Sequence, residues 1–422
     1  MTVQHALRTL TGQGLIESRP GVGTFVRAVR SPRPVDYGWQ TAALRSPRSR
    51  LPAVSAALRS TPNDVIALHS GYPDRELLPE RLVRAALTRA ARTEAALTRP
   101  PTAGLPALQS WFAGELGAAP GDVVVFPGSQ SGLSSVFQAL AGPGKPVLLE
   151  SPTYWGAILA ARQAGVVIVP VPSGPAGPDP AELARAFRET SARLFYAQPN
   201  YANPTGAQWP PALHEQVLSV VREHGAFLIE DDWAHDFAIT GSPVPVATHD
   251  DHGHVIYLRS LTKSVSPAIR VAAVVARGPA RERILADHGA ESMYVSGLLQ
   301  AAALDVVTQP AWATHLRGLR QQLGARRDLL IAALREHVPP ARIDLVPPGG
   351  LNLWVRLPDG TDVQQLADDC EKAGLVIAPG AEWFPAEPTG PFLRLNYAGP
   401  NPAAFPAGAR ILGDALLRRS GG

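Results

Sequence analysis

Between Val123 and Val275 the chain repeatedly alternates short, almost purely apolar runs with segments of helical periodicity. The runs are Val123–Phe126, Val147–Leu149, Val166–Val171, Leu194–Ala197, Phe227–Ile229, Val255–Leu258 and Val271–Val275. Strands of this length without polar alternation have to be covered on both faces, and helical crossovers between them are what a mostly parallel sheet requires. The pattern predicts a large α/β domain, and 422 residues leave room for more than one further unit.

Around that core the organisation changes. After Pro279 the pattern becomes helical through Leu334, with a charged stretch from His315 to Leu330. The tail then reads as α+β: Leu351–Val355, a helix near Val363 to Ala373, Leu375–Ala378, Phe392–Leu395 and a last helix to Leu417. At the other end, Val3, Ala6, Leu7 and Leu10 fall at helical spacing, Gly12 and Gly14 close the helix, and Leu15 to Val26 reads as two strands around Pro20-Gly21-Val22-Gly23. Residues 31–62, rich in Pro, Arg, Ser and Ala with Tyr37 and Trp39, read as a linker carrying one short helical pattern near Leu51 to Leu58. The expected domains are therefore 1–30, a helix with a β-wing; 63–310, the large α/β domain; and 311–417, a smaller α+β domain.

Composition narrows the functional classes. A net charge of +3 is too small to make the whole chain a nucleic-acid or membrane surface, although a pI of about 9.2 permits a local basic patch. The single cysteine, Cys370, excludes an intramolecular disulfide and a cysteine zinc site, which fits a reducing cytoplasm; its helical spacing from Val363 and Leu366 makes it a core residue. No run of eighteen apolar residues occurs, and no signal-peptide segment is visible, so a cytoplasmic location is expected.

Only three lysines occur, Lys145, Lys263 and Lys372, so 36 of the 39 basic residues are arginine. Lys263 lies in Ser260-Leu261-Thr262-Lys263-Ser264-Val265-Ser266-Pro267-Ala268-Ile269-Arg270, a turn between the apolar runs that end at Leu258 and begin at Val271. An arginine cannot lose its proton, whereas a poorly solvated lysine amine can, and can then attack an aldehyde to give a Schiff base. The hydroxyls of Ser260 and Thr262 and the guanidinium of Arg270 can converge on one phosphate beside the amine. Together they describe a seat for pyridoxal phosphate; taken alone, the string also reads as a surface turn with a solvated lysine.

Four further stretches fall where such a seat needs them. Gly128-Ser129-Gln130 follows a strand and opens a helix, whose first N–H groups can hold a phosphate. Tyr154 sits past another strand end, either to stack on a pyridine ring or as a core aromatic. Asn203, in Asn200-Tyr201-Ala202-Asn203-Pro204-Thr205-Gly206, could donate to a phenolic oxygen. Glu230-Asp231-Asp232 ends a strand; Asp231 could pair with a protonated pyridine nitrogen, while acids at strand ends are otherwise solvated or metal ligands.

With these motifs in this order, the chain resembles the fold-type I aminotransferases from about Val65 to its C-terminus. The resemblance implies pyridoxal 5'-phosphate as cofactor, Lys263 as its covalent anchor, Asp231 at the pyridine nitrogen and Asn203 at the 3-hydroxyl. Tyr154 would stack, and Ser129, Gln130, Ser260, Thr262 and Arg270 would bind phosphate. Arg394, in Phe392-Leu393-Arg394-Leu395-Asn396-Tyr397, matches the arginine that grips an amino acid's α-carboxylate. The family's tyrosine shortly after the aspartate is replaced in Trp233-Ala234-His235-Asp236-Phe237, where Trp233 can donate through its indole N–H. A homodimer acting on an amino acid or amine is implied as well.

The N-terminal unit, Thr2-Val3-x-x-Ala6-Leu7-x-x-Leu10 followed by Gly14-Leu15-Ile16-x-x-Arg19-Pro20-Gly21-x-Gly23-Thr24-Phe25-Val26, is similar to the recognition helix and wing of the GntR-type winged helix-turn-helix. That combination is the plan of the MocR regulators, without the two helices that usually precede the recognition helix. Two functions are therefore expected to compete: a regulator that senses an amino acid or amine, with weak DNA binding, and a free-standing aminotransferase with a vestigial extension.

Overall fold

The computed structural model describes residues 3–27, 39–40, 43, 55–62 and 64–420. Most of the segment expected as a linker, Tyr37 and Leu51 included, lies outside the described residues. Of the helical pattern expected there, the 3-10 turn Ala56–Leu58 is described. The chain divides into two compact units, Met1–Leu51 and Pro52–Gly422.

In the first unit a helix, Val3–Gly12, is closed by Gly14 at φ +70 and followed by β1, Ile16–Arg19, and β2, Gly23–Val26. The two strands pair antiparallel with Ile16 opposite Val26, and the Arg19 guanidinium lies 5.7 Å from the Phe25 ring centroid. The helix buries none of its residues.

The second unit begins with β3, Ile66–Ala67, and continues through β4, Val123–Phe126; β5, Pro146–Ser151; β6, Val167–Gly174; β7, Gly177–Pro178; β8, Leu194–Ala197; β9, Phe227–Asp232; β10, Val255–Ser260; and β11, Ala272–Val275. Eight of these form one sheet in the order β4-β11-β10-β9-β8-β5-β6-β7. β5, β6, β8, β9 and β10 run parallel, while β11 is antiparallel to both its neighbours. Successive residues of each strand feed opposite faces, as the pleat dictates. Val123, Val125, Phe195 and Leu228 enter one apolar cluster, and Val124, Phe126, Leu194 and Ile229 enter the other. Burial on both faces is the reason these runs show no polar alternation.

The C-terminal part holds β12, Asn352–Arg356; β13, Leu375–Val376; β14, Ala378–Pro379; and β15, Phe392–Asn396, with β15 between β12 and β14 in an antiparallel sheet. Its own core takes in Cys370, whose thiol burial pushes up to about 11, far from a reactive thiolate. The early strand β3 pairs with β13, and Leu68 and Leu77 join the same core, so the chain contributes to the C-terminal core before it enters the large sheet. A two-residue strand leaves no periodicity to read. The charged stretch of the sequence is the 28-residue helix Pro310–His337, which runs from Trp312 in a large-sheet cluster to Leu330 in the C-terminal core. Among the described residues no helix is long and apolar enough to cross a membrane, and no three His, Cys, Asp or Glu side chains group as metal ligands.

Candidate active site

β4, β5, β8, β9 and β10 all point their carboxyl ends at one edge of the sheet, where ligands of open α/β folds bind. A cavity there is walled by Ser129, Gln130, Tyr154, Asn203, Asp231, Trp233, Ser260, Thr262, Lys263 and Arg270, residues brought together from five separate stretches of the chain. Leu58, Tyr72, Trp155 and Gln198 complete the wall. The sequence did not single these four out: Tyr72 lies in a Gly-Tyr-Pro turn and Gln198 just past a strand, with nothing in either pattern to mark a site.

One end of the cavity is built for an anion. Gly128, at φ +95, caps the helix Ser129–Leu140, so the first free N–H groups of that helix face the cavity beside Ser129. A Cβ at Gly128 would sit 2.8 Å from Arg270 Nη2, which itself donates to the Pro127 carbonyl at 3.1 Å. Ser260 Oγ accepts from the Thr262 N–H at 3.1 Å, while Thr262 Oγ1 is buried with no partner. A helix N-terminus, a guanidinium and an unsatisfied hydroxyl together could hold a phosphate.

Another part of the wall fits a protonated nitrogen heterocycle. Asp231 receives Tyr196 Oη at 2.7 Å and Gln198 Nε2 at 2.9 Å, both on Oδ2, which leaves Oδ1 buried and unpartnered. Burial pushes its proton affinity up; Tyr196, Gln198 and the charge of Lys263 oppose that. Asn203 also lines the cavity; its Oδ1 is buried and unpartnered and can only accept, so its Nδ2 is the atom able to donate to a phenolic oxygen. Tyr154 packs so tightly over Gly156 that a Cβ there would lie 2.4 Å from its ring. These orphaned atoms and the aromatic wall fit the pyridine ring and its substituents.

Lys263 lines the same cavity. Burial, and then the charge of Arg394, push its amine down to about 7, with Asp231 acting in the opposite sense. Its Nζ is 4.2 Å from the Trp233 ring centroid and 5.9 Å from that of Tyr72. The indole N–H of Trp233, expected to be available to the cofactor, is donated instead to the Tyr201 carbonyl at 3.1 Å. Trp233 therefore contributes its ring face to the lysine, not a hydrogen bond to the cavity.

Arg394 is not on the cavity wall. It projects from the central strand β15, is 1% exposed, and gives its Nη atoms to the main-chain carbonyls of His69 at 3.0 Å and Ser70 at 3.1 Å. Its Cζ is 5.2 Å from the Trp383 ring centroid, and Nε is unpartnered. Burial pushes the guanidinium down to about 10, and among the described residues no carboxylate reaches it at ion-pair distance.

The three acids that end β9 are all buried but do different work. Glu230 accepts the N–H groups of Val246 and Ala247 at 2.8 Å each, capping a 3-10 helix, and burial pushes it up to about 8. Burial would raise Asp232 too, but His235 and Tyr257, each at 2.7 Å, together with the charge of Arg259 hold it below the ordinary range. Asp231 alone faces the cavity.

Residues 63–411 match the family described as aminotransferase class I and II. The 2-aminoadipate transaminase of Thermus thermophilus is 30% identical over 358 residues, 83% of this chain and 90% of that one. The probable rhizopine catabolism regulatory protein MocR of Rhizobium meliloti is 28% identical over 434 residues, 99% of this chain and 86% of that one. Among solved structures, the α-aminoadipate aminotransferase of Thermus thermophilus, complexed with N-(5'-phosphopyridoxyl)-L-leucine, is similar with a TM-score of 0.80 at 29% identity, over 85% of this chain and 94% of that one. The architecture is fold type I, and its cofactor is pyridoxal 5'-phosphate, which supplies an electron sink for chemistry at an amino acid's α-carbon. By its sheet, its cavity and the match across most of its length, the chain belongs to the class I and II aminotransferases.

Proposed function

We propose that this protein is a regulator of the MocR type, whose aminotransferase domain binds pyridoxal phosphate and an amino acid or amine and whose N-terminal helix and wing contact DNA. The ligand-binding half rests on Arg394, a buried cation that no carboxylate of the described residues reaches at ion-pair distance, and on the unpartnered Asp231 Oδ1 and Thr262 Oγ1 of the cavity. The regulator half rests on the helix–hairpin unit and on relatives of regulator type that align over 94% and 99% of this chain. A second reading, a working transaminase, is favoured by the 30% identity to the 2-aminoadipate transaminase over 83% of this chain, with Lys263 in the cavity wall. Single-turnover mixing of the protein with amino acids separates the two. Release of a 2-oxo acid marks turnover, and a spectral change without release marks sensing.

DNA contact is expected to be weak and electrostatic. Residues 1–33 carry five arginines and one glutamate. Ten helical residues are marginal in water on their own, and Val3 at 77% and Leu7 at 38% leave the apolar side of this helix exposed. Binding measured by fluorescence anisotropy should fall with salt. Replacing Arg8, Arg19 and Arg27 with glutamine should flatten the log–log salt slope by about 1 per arginine. A slope unchanged in the triple variant would place DNA contact elsewhere.

A homodimer is proposed on the same footing. Leu97 at 87%, Met293 at 67% and Tyr294 at 39% expose large apolar side chains. They flank segments that approach closely, since a Cβ at Gly297 would lie 3.0 Å from the Ala95 carbonyl. Sedimentation should give a dimer, and Met293→Asp should shift it toward monomer; a monomer in the cofactor-loaded wild type is the contrary result.

A further inference from the structure

Gln198 follows β8 and is 2% exposed in the cavity wall. Three hydrogen bonds fix it. Its main-chain N–H donates to Glu150 Oε2 at 2.9 Å, its Nε2 donates to Asp231 Oδ2 at 2.9 Å, and its Oε1 accepts from the Asn203 N–H at 2.8 Å. A main-chain N–H can only donate, so Oε1 must face Asn203 and Nε2 must face Asp231; the amide has one orientation. Tyr196 adds a second donor to the same Oδ2, at 2.7 Å.

We propose that Gln198 is a positioning residue: a single amide that ties Asp231 to Asn203, so that the bare Oδ1 and the asparagine side chain are presented to the cofactor ring in fixed relation. This rests on the reading of the site as a pyridoxal phosphate seat with Asp231 at the ring nitrogen and Asn203 at the phenolic oxygen. The tie acts in two ways. Geometrically, both donors occupy Oδ2, which turns Oδ1 toward the cavity. Electrostatically, the two donors and the charge of Lys263 work against burial and the neighbouring Asp232, which favour the neutral acid. Losing a donor leaves Asp231 less able to pair with a ring nitrogen. With less positive charge on the ring, the proton at the Lys263 nitrogen is held to higher pH.

Three full-length variants test this, each titrated by the visible absorption of the cofactor-loaded protein. Gln198→Leu removes both arms of the tie and should weaken cofactor affinity about tenfold, equivalent to about 1.4 kcal/mol, and raise the pH of the colour change. Gln198→Glu keeps an acceptor for Asn203 but sets a second carboxylate against Asp231, so the colour change should move up at least as far. Tyr196→Phe removes only the other donor to Oδ2 and should move it in the same direction while leaving Asn203 untouched. If Gln198→Leu fails to fold, the other two decide. Variants that bind the cofactor with wild-type affinity and an unchanged colour-change pH overturn the inference. So does a loss of affinity confined to Gln198→Leu with no shift in the other two, which would mark a packing role. Wild-type protein that takes up no pyridoxal phosphate would overturn the reading of the site, and this inference with it.

Discussion

Replacing Lys263 with alanine is expected to leave a folded protein that still takes up pyridoxal phosphate without covalent attachment, yet yields no adduct on borohydride reduction. Lost proton transfer at this position alone would slow any transamination by about 10²- to 10⁴-fold. The expectation rests on placement and on charge. Lys263 is the one lysine of three in the cavity wall, and burial brings its amine down to about 7. Peptide mapping of the reduced wild type should find the adduct on Lys263, and an adduct on Lys145 or Lys372 would end the assignment. Label uptake from a simple aldehyde with borohydride should rise with pH through about 7, well below the ordinary lysine range of about 10.4.

The same depressed value makes a stability statement for the cofactor-free protein. Between the folded value of about 7 and the unfolded value of about 10.4 the unfolded chain binds a proton that the folded chain does not, so stability rises with pH through that window and falls as pH drops toward 7. The slope inside the window is at most about 1.4 kcal/mol per pH unit. Lys263→Met should flatten it in urea unfolding measured at both ends, and an unchanged slope would mean that the amine is solvated in the native state.

What could be read from the sequence follows from how far each signal is local. The strands were legible because burial on two faces writes itself as uninterrupted apolar runs, and Lys263 was legible because it is a rare residue on a turn between two of them. Gln198 and Tyr72 were not legible, since their work depends on what a crossover places opposite them. Trp233 shows the converse: its chemistry was correctly inventoried, but the Tyr201 carbonyl, 32 positions away, takes the N–H. The buried fates of Glu230 and Asp232 were hidden for the same reason. Their partners, Val246 and Ala247 for one and His235 and Tyr257 for the other, are fixed by packing rather than by spacing.

Arg394→Ala is expected to weaken amino-acid binding to the cofactor-loaded protein by about 2 to 4 kcal/mol, roughly 30- to 1,000-fold, while cofactor affinity holds. A buried cation is costly unless paired. Among the described residues two main-chain carbonyls and the Trp383 ring contact the guanidinium, while the charge of Glu382 acts on it from beyond ion-pair distance. The missing counter-charge is what an α-carboxylate would supply, and a planar fork receives a carboxylate through two parallel hydrogen bonds where a lysine offers a point charge. Arg394→Lys should therefore fall between wild type and alanine. Because the arginine also braces the His69–Ser70 turn that leads to Tyr72, unchanged cofactor affinity is the control for a collapsed wall. The decisive comparison sets an amino acid against the amine that lacks its carboxyl group. Wild type should prefer the amino acid by the full factor, and in Arg394→Ala the preference should collapse, because the amine never used the guanidinium. A variant that still prefers the amino acid as strongly as wild type would mean that the carboxylate is held by another group.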